Sequence, residues 1–381
     1  QDPNTEILCF SFGDDVTPPK TWTPWLAADD PITLELRALV ENPEIVWIAF
    51  NVGFEKAIWR EIMVKVYNWP NIPNSRWHDV QAVCAMKVLP LDLERAIQVL
   101  RLPHVKDKEG SKFTIALSKP NKKTGSYDRS TAALTRVIDY CERDIFGEVG
   151  LHQRVGWLPA RERSVWLLNQ RINERGIRLD MAFVAKAQEV VDRASAPLEA
   201  EFLELTGGLK MTQVAKFRDW CGQNGYSVPD MQKETLAKIL QKDLDGDLED
   251  EMDDPGRYAG RVPDNVHRVL SIRQLIGSAS IKKLARMQAC VCEDGRVRGS
   301  LQYHGTGPGR SAGRLLQPHN FPRGSKQMEG HDPDEAVAAI MTGDPDYVEA
   351  VYGVGAVEVV LSSLRHAIVP DPGRVLLAGD Y

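Results

Sequence analysis

Residues 303–324 read YHGTGPGRSAGRLLQPHNFPRG, and the rest of the chain is best read outward from them. Glycines at 305, 307, 309 and 313 let the backbone approach a ligand closely or adopt positive φ. Pro308, Pro318 and Pro322 rule out a long helix. A strand-like run, Val297–Tyr303, enters the stretch after an Asp294-Gly295 turn. The expectation is a rigid, basic, irregular loop delivered by a strand. Arg310, Gln317, Asn320 and Arg323 are suited to gripping a polynucleotide.

Charge gives the loop its context. Between Arg261 and Lys326 there are twelve Lys/Arg and three acids (Asp264, Glu293, Asp294), a formal +9. The whole chain is −6, so the remainder is −15. A cationic block in an acidic protein points to a polyanion site. Amides beside arginines favour nucleic acid over bare phosphate, because amides can read base edges while guanidiniums hold the backbone.

The stretch resembles the DNA-minor-groove motif of family A DNA polymerases in its bacteriophage version. The matching residues are Gly305, Gly309, Arg310, Gly313, Arg314, Gln317, Pro318, Asn320, Pro322 and Arg323. Pro308 stands where the motif has Thr, Ser311 where it has Trp, and His319 where it has Gln. The resemblance implies that Arg310 and Asn320 contact primer–template DNA near the growing end, with Arg314, Gln317 and Arg323 beside them. Upstream, 280–284 (SIKKL) resembles the thumb segment that touches the primer backbone, which implies contacts from Ser280 and Lys283.

A chain of 381 residues predicts two or three domains, and 43% hydrophobic residues can fill their cores. Six cysteines without CxxC spacing argue against a zinc site or a disulfide framework and fit a reducing cytoplasm. With no secretory signal and no long apolar run, a soluble protein is expected, in the host cytoplasm if viral.

Residues 1–155 read as an α/β domain. Ile7–Phe12 and Ile45–Phe50 are strand-like, and the second leads into a helical pattern with Ala57, Ile58, Ile62 and Val66 inward. Glu55 then stands just past a strand end, where open α/β sheets place ligands. Tyr140 and Asp144, four apart, share a helix face. Both sites resemble a DEDD-class 3′–5′ proofreading exonuclease: 50–55 (FNVGFE) its second motif, and Tyr140 with Asp144 its third. The first motif, Asp-x-Glu, is expected upstream of Gln1. The resemblance implies that Glu55 and Asp144 hold Mg²⁺ or Mn²⁺ in a two-metal site, and that the Tyr140 hydroxyl orients the water.

Gly150–Arg161 marks the expected boundary. A helix over about 162–174, with Val165, Leu168 and Ile172 on one face, should stop at Gly176. Asp180 should cap the next helix, which Pro197 should kink. Further helices are expected over 212–220, 233–240, 263–287, 334–342 and 357–368. The acid run 243–254 lacks the glycine of a calcium loop and reads as a mobile insertion. A last strand, Val375–Ala378, leads to Asp380, which resembles a metal-binding aspartate of the polymerase palm.

The reading is α/β: an RNase H-like exonuclease domain (1–155), a mainly helical thumb (156–290) and the start of an α+β palm (291–381). The implied activity is template-directed DNA synthesis with proofreading. The implied partners are primer–template DNA and deoxynucleoside triphosphates, for a monomer that does not engage membranes. By itself the stretch given should bind primer–template without extending it. A stand-alone 3′–5′ exonuclease and a non-catalytic DNA-binding protein are the alternatives.

Overall fold

Tryptophan organises the first half of the chain. The computed structural model describes residues 5–103, 107–121, 124–245, 262–277, 281–322 and 324–377. They divide into two compact units, 1–175 with 301–314, and 176–300 with 315–381.

In the first unit, β1 (Phe10–Phe12) pairs antiparallel with β2 (Lys20–Trp22), and α1 (Pro31–Glu41) follows. β3 (Trp47–Ala49) leads into α2 (Val52–Ile58), and β4 (Trp77–Asp79) runs parallel to β3, Ala49 opposite Asp79. Parallel neighbours need such a crossover, and the helix supplies it. α3 (Val80–Met86), α4 (Leu93–Val99), α5 (Lys108–Leu117), α6 (Thr131–Val155) and α7 (Ala160–Arg175) complete this part. Trp22, Trp59, Trp69, Trp77 and Trp166 are buried in its core. Two of their polar edges are met: Trp59 Nε1 donates to the Pro70 carbonyl at 3.0 Å and Trp77 Nε1 to that of Ile72 at 3.3 Å, whereas Trp166 Nε1 is buried without a hydrogen-bond partner.

The second unit is built on α8 (Met181–Leu205), capped by Asp180, whose carboxylate accepts the Phe183 N–H at 3.0 Å. Pro197 lies inside the helix, which continues to Leu205. β5 (Ile177–Arg178) precedes it; α9 (Val214–Gln223), α10 (Lys233–Asp245), α11 (Asp264–Ile276) and α12 (Lys282–Cys290) follow, and β6 (Arg296–Val297) pairs back onto β5. The chain then returns to the first unit as a hairpin, β7 (Leu301–Gln302) with β8 (Ala312–Gly313). It ends in the second unit with α13 (Pro333–Met341), α14 (Pro345–Tyr352) and α15 (Ala356–Ser363), and α13 and α15 pack on α8. No single described helix is long and apolar enough to cross a membrane. The fold is mixed α/β, mostly helical, with two-stranded sheets among the described residues.

Several expectations are corrected. After α2 the chain forms a π-helix, Trp59–Val64; Ile58 and Ile62 pack half-buried against the core as expected, but the fully buried line is Val52, Lys56, Trp59 and Met63, and Val66 is exposed. On α7, Val165 and Leu168 face solvent and Trp166 and Asn169 are buried. The reason is polar: Asn173, one turn on from Asn169, accepts the Leu301 N–H at 2.9 Å and donates to the Leu301 carbonyl at 2.7 Å, standing in as a strand neighbour for β7. The run 297–303 is two short strands, broken at Gly299, which has φ 71°. The helix expected over 263–287 ends at Ile276, and a separate helix starts at Lys282. No strand forms over 375–377, and Val375, Leu376 and Leu377 are exposed. Of the acid run, 243–245 close α10 and 246–254 lie outside the described residues.

Candidate functional site

The strand ends of β3 and β4 build a turn around one carboxylate. Asn51, just past β3, is in the left-handed region, φ 70°. Its N–H donates to Asp79 Oδ1 at 3.1 Å, and the Gln81 N–H donates to the same oxygen at 3.0 Å. Asp79 thus caps α3 and fixes the turn from which α2 starts. Complete burial nevertheless pushes its pKa up to about 6, because desolvation outweighs those donors.

Glu55 sits one turn into α2. Its Oε2 is buried without a hydrogen-bond partner. Burial raises its pKa well above the usual carboxylate range, and the negative charges of Glu148 and Asp79 add to the rise. Glu148 lies on α6, one turn beyond Asp144. Tyr140, one turn before Asp144, is hydrogen-bonded to it; burial first, then the Asp144 charge, holds the phenol above its ordinary pKa. Tyr140 also packs on α5, where a Cβ at Gly110 would meet its ring at 2.7 Å. Tyr140 is thus bonded to Asp144, and Glu55 feels the charge of Glu148 on the next turn of the same helix.

The sequence reading passed over Glu148 and Asp79. The first was visible as the continuation of the i,i+4 stripe from Tyr140 and Asp144. The second was visible as an acid between an aromatic strand and a helix. Among the described residues, no group of three His, Cys, Asp or Glu is placed to hold a metal ion. The donor chemistry still suits a hard divalent cation, since an orphaned buried carboxylate oxygen among like charges lacks the positive partner that would stabilise it.

The loop 303–324 is fixed at its base. The Tyr303 hydroxyl donates to Glu162, and His304 Nε2 lies 3.2 Å from the same carboxylate. The Tyr303 bond is the main reason that Glu162 titrates below the ordinary range. Two glycines are required: a Cβ at Gly305 would stand 2.4 Å from that of Ala312, and Gly309 has φ 82° against the His304 ring. The tip closes on itself, Gly309 N–H to the Thr306 carbonyl at 3.0 Å and Arg310 N–H to Thr306 Oγ1 at 3.1 Å.

Arg310, Arg314, Gln317 and Asn320 are exposed. Arg314 Nε donates to Gln302 Oε1 at 2.8 Å, and Asn320 Nδ2 to Gln317 Oε1 at 3.1 Å. Arg310 and Arg314 belong to the first unit, Gln317 and Asn320 to the second. Lys283 has its ammonium 4.8 Å from the centre of the Phe321 ring. Arg365 holds the same segment by donating to the Pro322 and Phe321 carbonyls at 3.0 and 3.2 Å. Ser280, Arg323 and Asp380 lie outside the described residues.

No family model matches the sequence. The chain is similar to the DNA polymerase of Bacillus phage SP02, with 28% identity over 391 residues. The match covers all of this chain and 56% of that protein, so the chain spans little more than half of its relative's length.

Proposed function

We propose that this chain is part of a template-directed DNA polymerase of family A, bacteriophage type, carrying a 3′–5′ proofreading exonuclease of the DEDD class. In this reading 1–155 is the RNase H-like exonuclease domain, 156–290 the thumb and 291–381 the start of the palm. The observation that carries it is the similarity to a phage DNA polymerase along the whole chain. The carboxylates crowded around Glu55 support the nuclease half. The exposed guanidiniums and amides of 310–320 support the DNA-binding half.

Glu55 and Asp144, with Glu148 close by, would hold Mg²⁺ or Mn²⁺ in the exonuclease, and Asp380 would do so in the palm. The ions would supply the positive charge that clamps the attacking and leaving oxygens of a phosphodiester. Tyr140, hydrogen-bonded to Asp144, would orient the attacking water. Arg310, Arg314 and Arg323 would hold phosphates, Gln317 and Asn320 would meet base edges, and Ser280 and Lys283 would line the primer side. The partners are primer–template DNA and deoxynucleoside triphosphates, met by a monomer in the host cytoplasm.

The test is degradation of 3′-labelled single-stranded DNA with Mg²⁺ or Mn²⁺, beside a gel-shift on primer–template. In a protein that also carries the expected first motif, wild type should shorten the strand from its 3′ end. Glu55→Gln and Asp144→Asn should each lower the rate by about 100-fold or more while leaving the gel-shift unchanged. Equal rates in all three proteins would remove the exonuclease from the reading.

A further inference from the structure

Cys9 and Cys141 lie 132 positions apart in sequence, yet their sulfurs are 3.7 Å apart. Both thiols are partly exposed, whereas Cys84 and Cys221 are buried. Cys9 leads into β1, and Cys141 is on the face of α6 that packs against β1. Side-chain bonds tie the same two segments on either side of the sulfurs. Arg129 pairs with Glu6 at 3.0 Å, and Thr21 Oγ1 donates to Glu142 at 2.7 Å while also bonding Ser11 at 2.9 Å. Strand and helix are thus held in register around the thiol pair. A disulfide needs sulfurs about 2.05 Å apart, so side-chain rotation has to close on the order of 1.7 Å.

We propose that Cys9 and Cys141 form a reversible redox pair, linked as a disulfide by hydrogen peroxide. The modification site lies beside Tyr140 on α6, but its chemistry uses none of the proposed nuclease or DNA-binding groups and does not depend on either reading. The Cys9 sulfur attacks a peroxide oxygen; the O–O bond breaks, water leaves and Cys9 becomes a sulfenic acid. The Cys141 sulfur then attacks the Cys9 sulfur, the S–S bond forms, the S–O bond breaks and a second water leaves. Two thiols and one hydrogen peroxide give one disulfide and two waters, the two electrons passing from sulfur to oxygen.

Cys9 suits the first step. Contact with the Cys141 thiol lowers its pKa, whereas that contact and burial raise the pKa of Cys141. The thiolate is the attacking form, so the first oxidation falls on Cys9. Cys84 and Cys221, with thiols pushed up to about 11 by burial, are poor competitors.

The experiment treats the reduced protein with equimolar hydrogen peroxide, alkylates under denaturing conditions and maps tryptic peptides without reduction. The expected product joins peptide 1–20 to peptide 137–143, two hydrogens lighter than the separate peptides, and dithiothreitol releases it. With peroxide raised to an excess, Cys141→Ser should leave Cys9 to run on to sulfinic acid, since no thiol remains to resolve it. The folded wild type is its own control, so the result does not depend on a variant folding. Recovery of both cysteines as alkylated peptides after equimolar peroxide, or as unlinked sulfinic acids in wild type after excess peroxide, would overturn the proposal.

Discussion

Glu55 is a carboxyl group that its surroundings disfavour as an anion. Burial raises its pKa, and Glu148 and Asp79 raise it further. Its folded pKa lies above the unfolded one. The stability it contributes is therefore present below the unfolded value and lost as pH rises through the folded value. Asp79, pushed up to about 6, acts with the same sign. His78 acts with the opposite sign. Burial and the neighbouring His152 lower it to about 4, so its contribution is present above its unfolded pKa and is lost as pH falls toward 4. The prediction for Glu55→Gln follows: it should melt above wild type near pH 8, roughly 2–4 °C for each kcal/mol relieved, with the gap narrowing as pH falls. Mg²⁺ should stabilise wild type and leave the variant unmoved, because only an ion that binds the folded state shifts its melting. Thermal unfolding across pH, with and without Mg²⁺, measures both. A pH-independent gap would mean that Glu55 is not a buried acid.

Elements were legible in the sequence where local chemistry decides them. Asp180 as a helix cap, Gly176 as a helix stop and the helical stripe of Tyr140 and Asp144 all follow from spacing and residue type, and the structure holds them. What was not legible depends on partners far along the chain. The outward apolar stripe of α7 reflects Asn173 bonding a hairpin 128 residues away. The broken strand at Gly299, with its φ of 71°, and the helix end at Ile276 fall where no helical or strand period places them. The loop residues Arg310, Arg314, Gln317 and Asn320 could be named as exposed polar groups, but the bond between Gln317 and Asn320 could not. At Gly176 both kinds of constraint meet. Its φ is 71°, and a Cβ there would stand 2.8 Å from the Val297 carbonyl oxygen. Gly176→Ala should therefore destabilise the second unit by about 1–3 kcal/mol, read as a lower urea midpoint with unchanged m-value. An unchanged midpoint would show that the β5–β6 backbone gives way freely.

The molecule as a whole is acidic, and that makes its proposed partner a sharp test. With a formal charge of −6, the chain should repel a polyanion unless cations are gathered locally. Between Arg261 and Lys326 they are gathered, twelve against three acids. The hairpin within that span is anchored in the first unit through Tyr303, buried and bonded to Glu162. Tyr303→Phe should cost that unit about 1 kcal/mol in a urea titration, and a neutral result would make the anchor the ring alone. If the span binds primer–template DNA, each phosphate it neutralises releases counterions, and log K should fall with log salt at about −0.9 per contact. Six or more contacts would weaken binding about 10³-fold or more between 50 and 200 mM salt. Arg314 offers the residue-level check, because it is exposed and only its Nε is bonded to Gln302. Arg314→Ala should flatten the slope by about one if its guanidinium meets a phosphate. Fluorescence anisotropy over a potassium chloride series reads both slopes on one labelled duplex. A wild-type slope near zero would mean that the cationic span does not meet DNA, and the similarity to a phage polymerase would then have to be explained without this loop.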